Sequence, residues 1–395
     1  MELTKIKIFL RLSFLLPCIA LRVHADDEYE ANEAYPVFAL PFPKPPVQQY
    51  QVFYDKHDST LANIFNNAYN VTLHDYRAAF DTPTNTPLAR QLFYICQAHE
   101  RCMLDKMSSD GLANFNSAGV VLGLMPTLLS TIGLSVAETS LLSSYRPLLS
   151  FLLSLGAPAV WPTRLLEYSD PTHVLCGGSS VSEGGSSRGS MLAFRISPRW
   201  AGIAHPLSAA QYLLAAGAAA NVMSTSVELG RKTILSWDCT VTFGPLLWGT
   251  LACVVHVVSA VSFGFARRST VKPRTGGNLA VASSGKKPMG RVAKLARHLR
   301  NLVGKEITLC AEQEVDEYDA NARVPLLAVL GNVLAGCVGF VHLVLGVIVF
   351  SSLQFETVRE VLSFVLWQYV VSSVVCRLIL VFEIGGLRRE KKGEW

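Results

Sequence analysis

Four stretches leave this chain little choice of fold: Ser117–Ala137, Val241–Phe265, Val324–Phe350 and Val361–Phe382 are long, apolar and almost free of charge. A helix of ~20 residues rises ~30 Å, the thickness of a bilayer's hydrocarbon core. In lipid every backbone N–H and C=O must find its partner within the protein, and a helix meets that need within one segment. Composition agrees, because half of the 395 residues are hydrophobic and only 16% are charged, outside the range of ordinary soluble domains. The expected fold is all-α: a polytopic α-helical membrane protein with about 5–6 transmembrane helices and a small N-terminal ectodomain.

Two further segments are ambiguous. Leu141–Val160 is apolar but carries Arg146, Pro147 and Pro158, which suit a re-entrant or interfacial helix that keeps the arginine near headgroups. Leu207–Ser224 is uncharged but rich in Ala, with Gln211 and Asn221, and is marginal as a span.

Orientation follows from charge. Ala266–Lys305 holds eleven Lys and Arg and no Asp or Glu, and short loops with such a bias stay cytoplasmic. Met1–Ala25 has the basic start, ten-residue apolar core (Leu12–Leu21) and small-residue end of a secretory signal peptide; an uncleaved anchor is the alternative, and both send residues 26–116 to the exoplasmic side. An odd number of crossings must then separate residue 26 from the basic run. Of the two weak segments, Leu141–Val160 is therefore expected not to cross. The expected organisation is a signal at 1–25, an ectodomain at 26–116, a first membrane block at 117–265, a cytoplasmic basic and acidic loop at 266–323, two last membrane helices at 324–383 and a cytoplasmic tail at 384–395.

In the ectodomain, Asn70-Val71-Thr72 is a sequon, so Asn70 is the expected glycosylation site. Cys96 and Cys102 lie six apart in an oxidising compartment, and a local disulfide between them is the preferred reading. The nine cysteines include no CxxC pair, and no His cluster has metal-ligand spacing, so no metal and no cofactor is expected. Within the basic run, Val292, Leu295, Leu299, Leu302 and Val303 recur at helical spacing opposite Arg291, Lys294, Arg297, Arg300 and Lys305. That pattern is a basic amphipathic helix. Arg291, Lys294, Arg297 and Arg300 are the expected contacts to anionic headgroups, with a protein partner at this loop or at the ectodomain as a further expectation. No aromatic platform or recognised module accompanies the charge, so nucleic acid is not expected as a partner.

Ionisable groups inside apolar helices are candidate functional residues, because burying them is costly unless they are paired or wet. His256 and His342 form the candidate intramembrane polar site; Arg377 and Glu383, near the end of the last helix, can snorkel. Gly331, Ala335 and Gly339 recur every fourth residue and predict close helix packing. There is no nucleophile elbow, HExxH, paired intramembrane aspartate or nucleotide loop, and no enzymatic activity is expected.

The blocks Leu122–Thr127, Val136–Leu142, Arg146–Pro158 and Glu167–Pro171, with Ser236–Cys239 and Pro245–Trp248, resemble a family of uncharacterised multi-pass integral membrane proteins of filamentous ascomycete fungi. The resemblance implies a fungal secretory-pathway membrane protein and brings no catalytic or binding residue. The expected function is a non-enzymatic surface sensor, scaffold or interaction protein, multi-pass in the secretory pathway and at the plasma membrane. Its alternative is a small-solute or ion transporter using His256 and His342.

Overall fold

The computed structural model describes residues 53, 56–57, 74–75, 78, 92–161, 204–237, 241–271, 304–313 and 324–387. The signal at 1–25, Asn70 and the basic contacts Arg291, Lys294, Arg297 and Arg300 lie outside them. The chain divides into two compact units, Met1–Met107 with Asp238–Phe243, and Ser108–Trp237 with Gly244–Trp395.

The first unit contains helix α1, Leu92–Asp105. Cys96 and Cys102 both lie on it, and Cys102 is a free thiol whereas Cys96 is not. The expected bridge between them is therefore not formed. On a straight helix six residues advance ~9 Å and turn the two side chains to different sides, beyond disulfide reach.

The second unit is a helical bundle. Helix α2 spans Ser109–Ile132, α3 Val136–Ser143, α4 Pro147–Gly156, α5 Ala204–Lys232, α6 Gly244–Thr270, α7 Leu326–Ser351 and α8 Val358–Leu387. Two-residue strands tie the helix ends: β1 (Leu134–Ser135) pairs in parallel with β2 (Val160–Trp161), and β3 (Ile234–Leu235) pairs antiparallel with β4 (Leu353–Gln354). Local chemistry sets the boundaries. The Ser108 side chain caps α2 by accepting from Gly111 N, and Thr357 and Glu360 form a reciprocal capping box at the start of α8.

Among the described residues four helices, α2, α6, α7 and α8, are long and apolar enough to cross a membrane, fewer than the 5–6 expected. Their outer faces carry exposed aliphatic side chains at helical spacing, among them Val120, Leu124 and Leu128 on α2 and Leu327, Leu330 and Leu334 on α7, as lipid-facing surfaces require. The first of them begins and ends earlier than hydropathy suggested, because the chain breaks at Gly133 and restarts as α3. The α5 helix fails on composition alone. Its 29 residues rise ~43 Å, and it runs antiparallel beside α8: Gln211 bonds Glu383, Asn221 bonds Ser372, and Ser226 bonds Tyr369. It therefore traverses the same depth as a helix that qualifies.

Contacts order the rest. Helix α7 is antiparallel to α6, with Trp248 beside His342 and Ser262 bonded to Ala328 O. It is antiparallel to α2 as well, where an added Cβ on Gly123 would meet Ser351 and one on Gly346 would meet Pro126. Helix α3 continues the direction of α2, since Ser140 meets Ser259 and Ser144 O accepts from Arg267. Helix α4 then turns back, because Ser150 approaches His256 and Ser154 approaches Cys253. It ends at Gly156, against Cys376 and Ala218, part-way along α8 and α5. The segment 144–161 is thus a re-entrant hairpin whose mouth lies at the end where α6 delivers the chain into its basic run, here called the basic end. The every-fourth-residue face of α7 packs on α6 as expected: Ala335 is buried, and a Cβ on Gly331 would lie 2.9 Å from Ser262 Cβ.

Candidate functional site

The polar centre of the bundle is at the basic end, where the hairpin begins. Pro147 opens α4 at a position that has no intrahelical N–H partner to lose, and this turn sets Arg146 inside the bundle. Its guanidinium is fully buried. Nη1 lies 2.9 Å from Glu383 Oε1 in an ion pair whose two side chains have no exposed surface. Nη1 also donates to Gln211 Oε1 at 2.6 Å, Nη2 to Ser208 Oγ at 2.6 Å and Nε to Glu306 O at 3.1 Å, while the Tyr212 ring stacks 5.1 Å below the guanidinium carbon. Both Glu383 oxygens are used as well: Oε1 accepts from Gln211 Nε2 at 2.6 Å and Oε2 from the backbone N–H of Cys310 at 3.0 Å.

A charge pair taken out of water needs this degree of satisfaction, because desolvation of each ion costs several kcal/mol that the mutual attraction alone does not recover. Here α4, α5 and α8 each contribute, together with residues 304–312. That last segment is where the chain leaves the basic run. Its Glu306 makes three separate contacts: the carbonyl receives Arg146, one carboxylate oxygen receives Leu148 N at 2.7 Å, and the other receives the Tyr212 hydroxyl. The Leu148 contact places a carboxylate on the first turn of α4, where unsatisfied N–H groups and the helix dipole favour negative charge. The short 3-10 turn Cys310–Glu312 follows. Burial pushes the Cys310 thiol well above its ordinary value, and the neighbouring Glu383 carboxylate adds to the shift.

A second pair joins α3 to α8: Arg377 binds both carboxylate oxygens of Glu138, with Nη2 3.2 Å from Oε1. Arg146 and Glu383 therefore lie inside the bundle and do not reach out to headgroups as the sequence suggested, while Arg377, with its side chain 36% exposed, is paired with Glu138.

His256 and His342 are both buried, on α6 and α7, and the structure brings both to the hairpin. His256 Nε2 lies 3.5 Å from Ser150 Oγ, and His342 Nε2 lies 3.0 Å from Pro158 O. They meet it at different points, one on α4 and one at the hairpin tip. Sequence reasoning missed Ser208, Gln211, Glu306 and Glu138 as partners. A polar residue in an apolar stretch is visible in sequence, but which other one it meets depends on helix adjacency: Gln211 and Glu383 are 172 residues apart, and Glu138 and Arg377 are 239.

Comparison with protein-family models, with curated proteins and with solved structures finds no match.

Proposed function

We propose that this protein is a non-enzymatic sensor and interaction protein of a secretory-pathway membrane, at the plasma membrane, whose basic run binds anionic headgroups or an acidic partner and passes the event to the re-entrant hairpin. The observation that carries this reading is Glu306. One residue downstream of the last lysine of the basic run, it clasps Arg146, the first turn of α4 and Tyr212 at once. A force on the basic run has a short route into the bundle, because Lys305 and Glu306 are adjacent in the chain. The disposition of the bundle fits the same reading, since the run leaves α6 and returns at Gly304 on the side where the hairpin mouth opens. Arg291, Lys294, Arg297 and Arg300 supply the charge for the surface contact; each basic residue near an anionic leaflet contributes about 1 kcal/mol.

The test is hydrogen exchange on the full-length protein in nanodiscs of neutral or phosphatidylserine-containing lipid. Protection of Pro147–Gly156 and of Gly304–Gln313 falls together in the anionic discs. Replacing Arg291, Lys294, Arg297 and Arg300 with Gln removes that response. Equal protection in both lipids, or an unchanged response in the quadruple variant, refutes the coupling.

A further inference from the structure

A seam of polar side chains runs from the basic end to mid-depth between α6 and the helices α3 and α4. It starts where Arg267 donates to Ser144 O at 3.3 Å. It continues through Ser140 and Ser259, with Ser259 Oγ donating to Val136 O at 3.3 Å, then through Ser150 and His256, and then Ser154, whose Oγ lies 3.9 Å from Cys253 Sγ. It ends at the hairpin tip, where Pro158 O meets His342. Backbone at this depth is non-helical: β1 and β2 pair there, and Gly133 approaches so closely that an added Cβ would lie 2.2 Å from Ala159 O. In a membrane such backbone is found only where protein buries it or where it lines water.

The hydrogen bonds fix the state of both imidazoles. Ser150 Oγ donates its proton to Thr139 O at 2.8 Å, so toward His256 it can only accept, and His256 Nε2 must be the donor. A carbonyl can only accept, so His342 Nε2 is the donor to Pro158. In each neutral ring the remaining nitrogen, Nδ1, is then a bare acceptor. Both Nδ1 atoms are buried without a hydrogen-bond partner among the described residues, in side chains only 6% and 4% exposed. Buried acceptors of this kind are ordinarily satisfied by internal water. Beyond His342 the character changes. Trp248 stacks on the ring at 5.3 Å, with Phe350 edge-on to Trp248 at 5.0 Å and Tyr369 tied to Ser226, and this aromatic group closes the seam from the opposite end.

We propose that the seam is a water-bearing proton half-channel that opens at the basic end, uses His256 and His342 as carriers, and stops beneath Trp248. A proton binds at Nδ1 to give the imidazolium and passes on from the same nitrogen to the next water, while each Nε2–H stays on its acceptor; no other bond is made or broken. Trp248 is the plug; its transient displacement joins the two sides and sets a low wild-type flux, which removal of the ring raises. The inference stands apart from the surface-sensor reading, since it uses none of the headgroup contacts Arg291, Lys294, Arg297 and Arg300.

The full-length protein in liposomes loaded with pyranine, with a potassium diffusion potential set by valinomycin, tests it. Wild-type vesicles carry a proton flux above protein-free vesicles, and Trp248→Ala raises it. His256→Gln and His342→Gln each keep a donor at the position of Nε2 but cannot carry a proton, and each lowers the flux about tenfold or more. Should either Gln variant fail to give a monodisperse protein, Ser150→Ala, which removes one hydroxyl, serves in its place and lowers the flux several-fold. A wild-type flux equal to that of empty vesicles overturns the proposal. So does a wild-type rate in a folded His256→Gln, His342→Gln or Ser150→Ala protein.

Discussion

At the scale of single residues the molecule is governed by charges it has taken out of solvent. Arg146 and Glu383 are each tolerable only because the other is there, and because Gln211, Ser208, Glu306 and Cys310 complete their hydrogen bonds. Removing one partner of such a pair leaves an uncompensated buried charge and typically costs ~3–5 kcal/mol, whereas removing both costs far less. Glu383→Leu and Arg146→Met are each expected to lower the melting temperature of the detergent-solubilised protein sharply. The double variant Arg146→Met/Glu383→Leu should melt above the sum of the two losses. Strictly additive shifts would mean that the two side chains are energetically independent. This pair was only half legible beforehand. An arginine beside a proline in an apolar stretch is conspicuous, and its cost in lipid predicts that something must compensate it. Headgroups and a buried carboxylate answer that need equally well on paper, and nothing local in the chain distinguishes them.

At the scale of elements the bundle depends on close backbone approach, and its glycines differ in what surrounds them. An added Cβ on Gly346 would lie 2.3 Å from Trp248 Nε1, and one on Gly156 would lie 2.6 Å from Cys376 Sγ and 3.1 Å from Ala218 Cβ, whereas Gly217 in α5 has nothing within 4 Å. Overpacking a filled interface costs ~1–3 kcal/mol, while alanine in an open helical position gains ~0.5–1 kcal/mol over glycine. Gly346→Ala and Gly156→Ala should therefore lower the melting temperature and Gly217→Ala should raise it, by differential scanning fluorimetry in one detergent. A common sign for all three would refute the packing account. The sequence announces the Gly331–Ala335–Gly339 face through its period of four, because that period alone marks one side of a helix. It does not announce Gly346 or Gly156, since what makes those positions tight is a tryptophan or a cysteine on another helix. Hydropathy is likewise blind to the break at Gly133. Leu134–Ala137 is as lipid-compatible as the helix before it, so the apolar stretch runs on while the backbone does not.

At the scale of the whole molecule, the α2–α3 pair, α5, α6, α7 and α8 make five traversals of one bundle, and α4 enters from the basic end and stops part-way. Among the described residues four helices qualify by length and apolarity; α5 runs the same depth beside α8, its Gln211, Asn221 and Ser226 satisfied by α8 and by Arg146. Hydropathy scores a segment as though lipid surrounded it, and so undervalues a helix with protein along much of its surface. The consequence is a definite side for every connection. If the basic run is cytoplasmic, then Ser108, the α5–α6 turn near Trp237 and the α7–α8 turn near Glu356 are exoplasmic, and the tail after Leu387 is cytoplasmic. Single sequons carried on flexible linkers and inserted at each site in a sequon-free background (Asn70→Gln) report this by glycosylation. Insertions at Trp237 and Glu356 should be modified, and those at Lys286 and Lys391 should not. The Trp237 tag is decisive for α5: if that helix did not cross, Trp237 would share the side of Ala204 at the hairpin mouth and stay unmodified. A modified tag at Lys286 would invert the bundle and remove the basic run from the anionic leaflet on which the sensor reading depends.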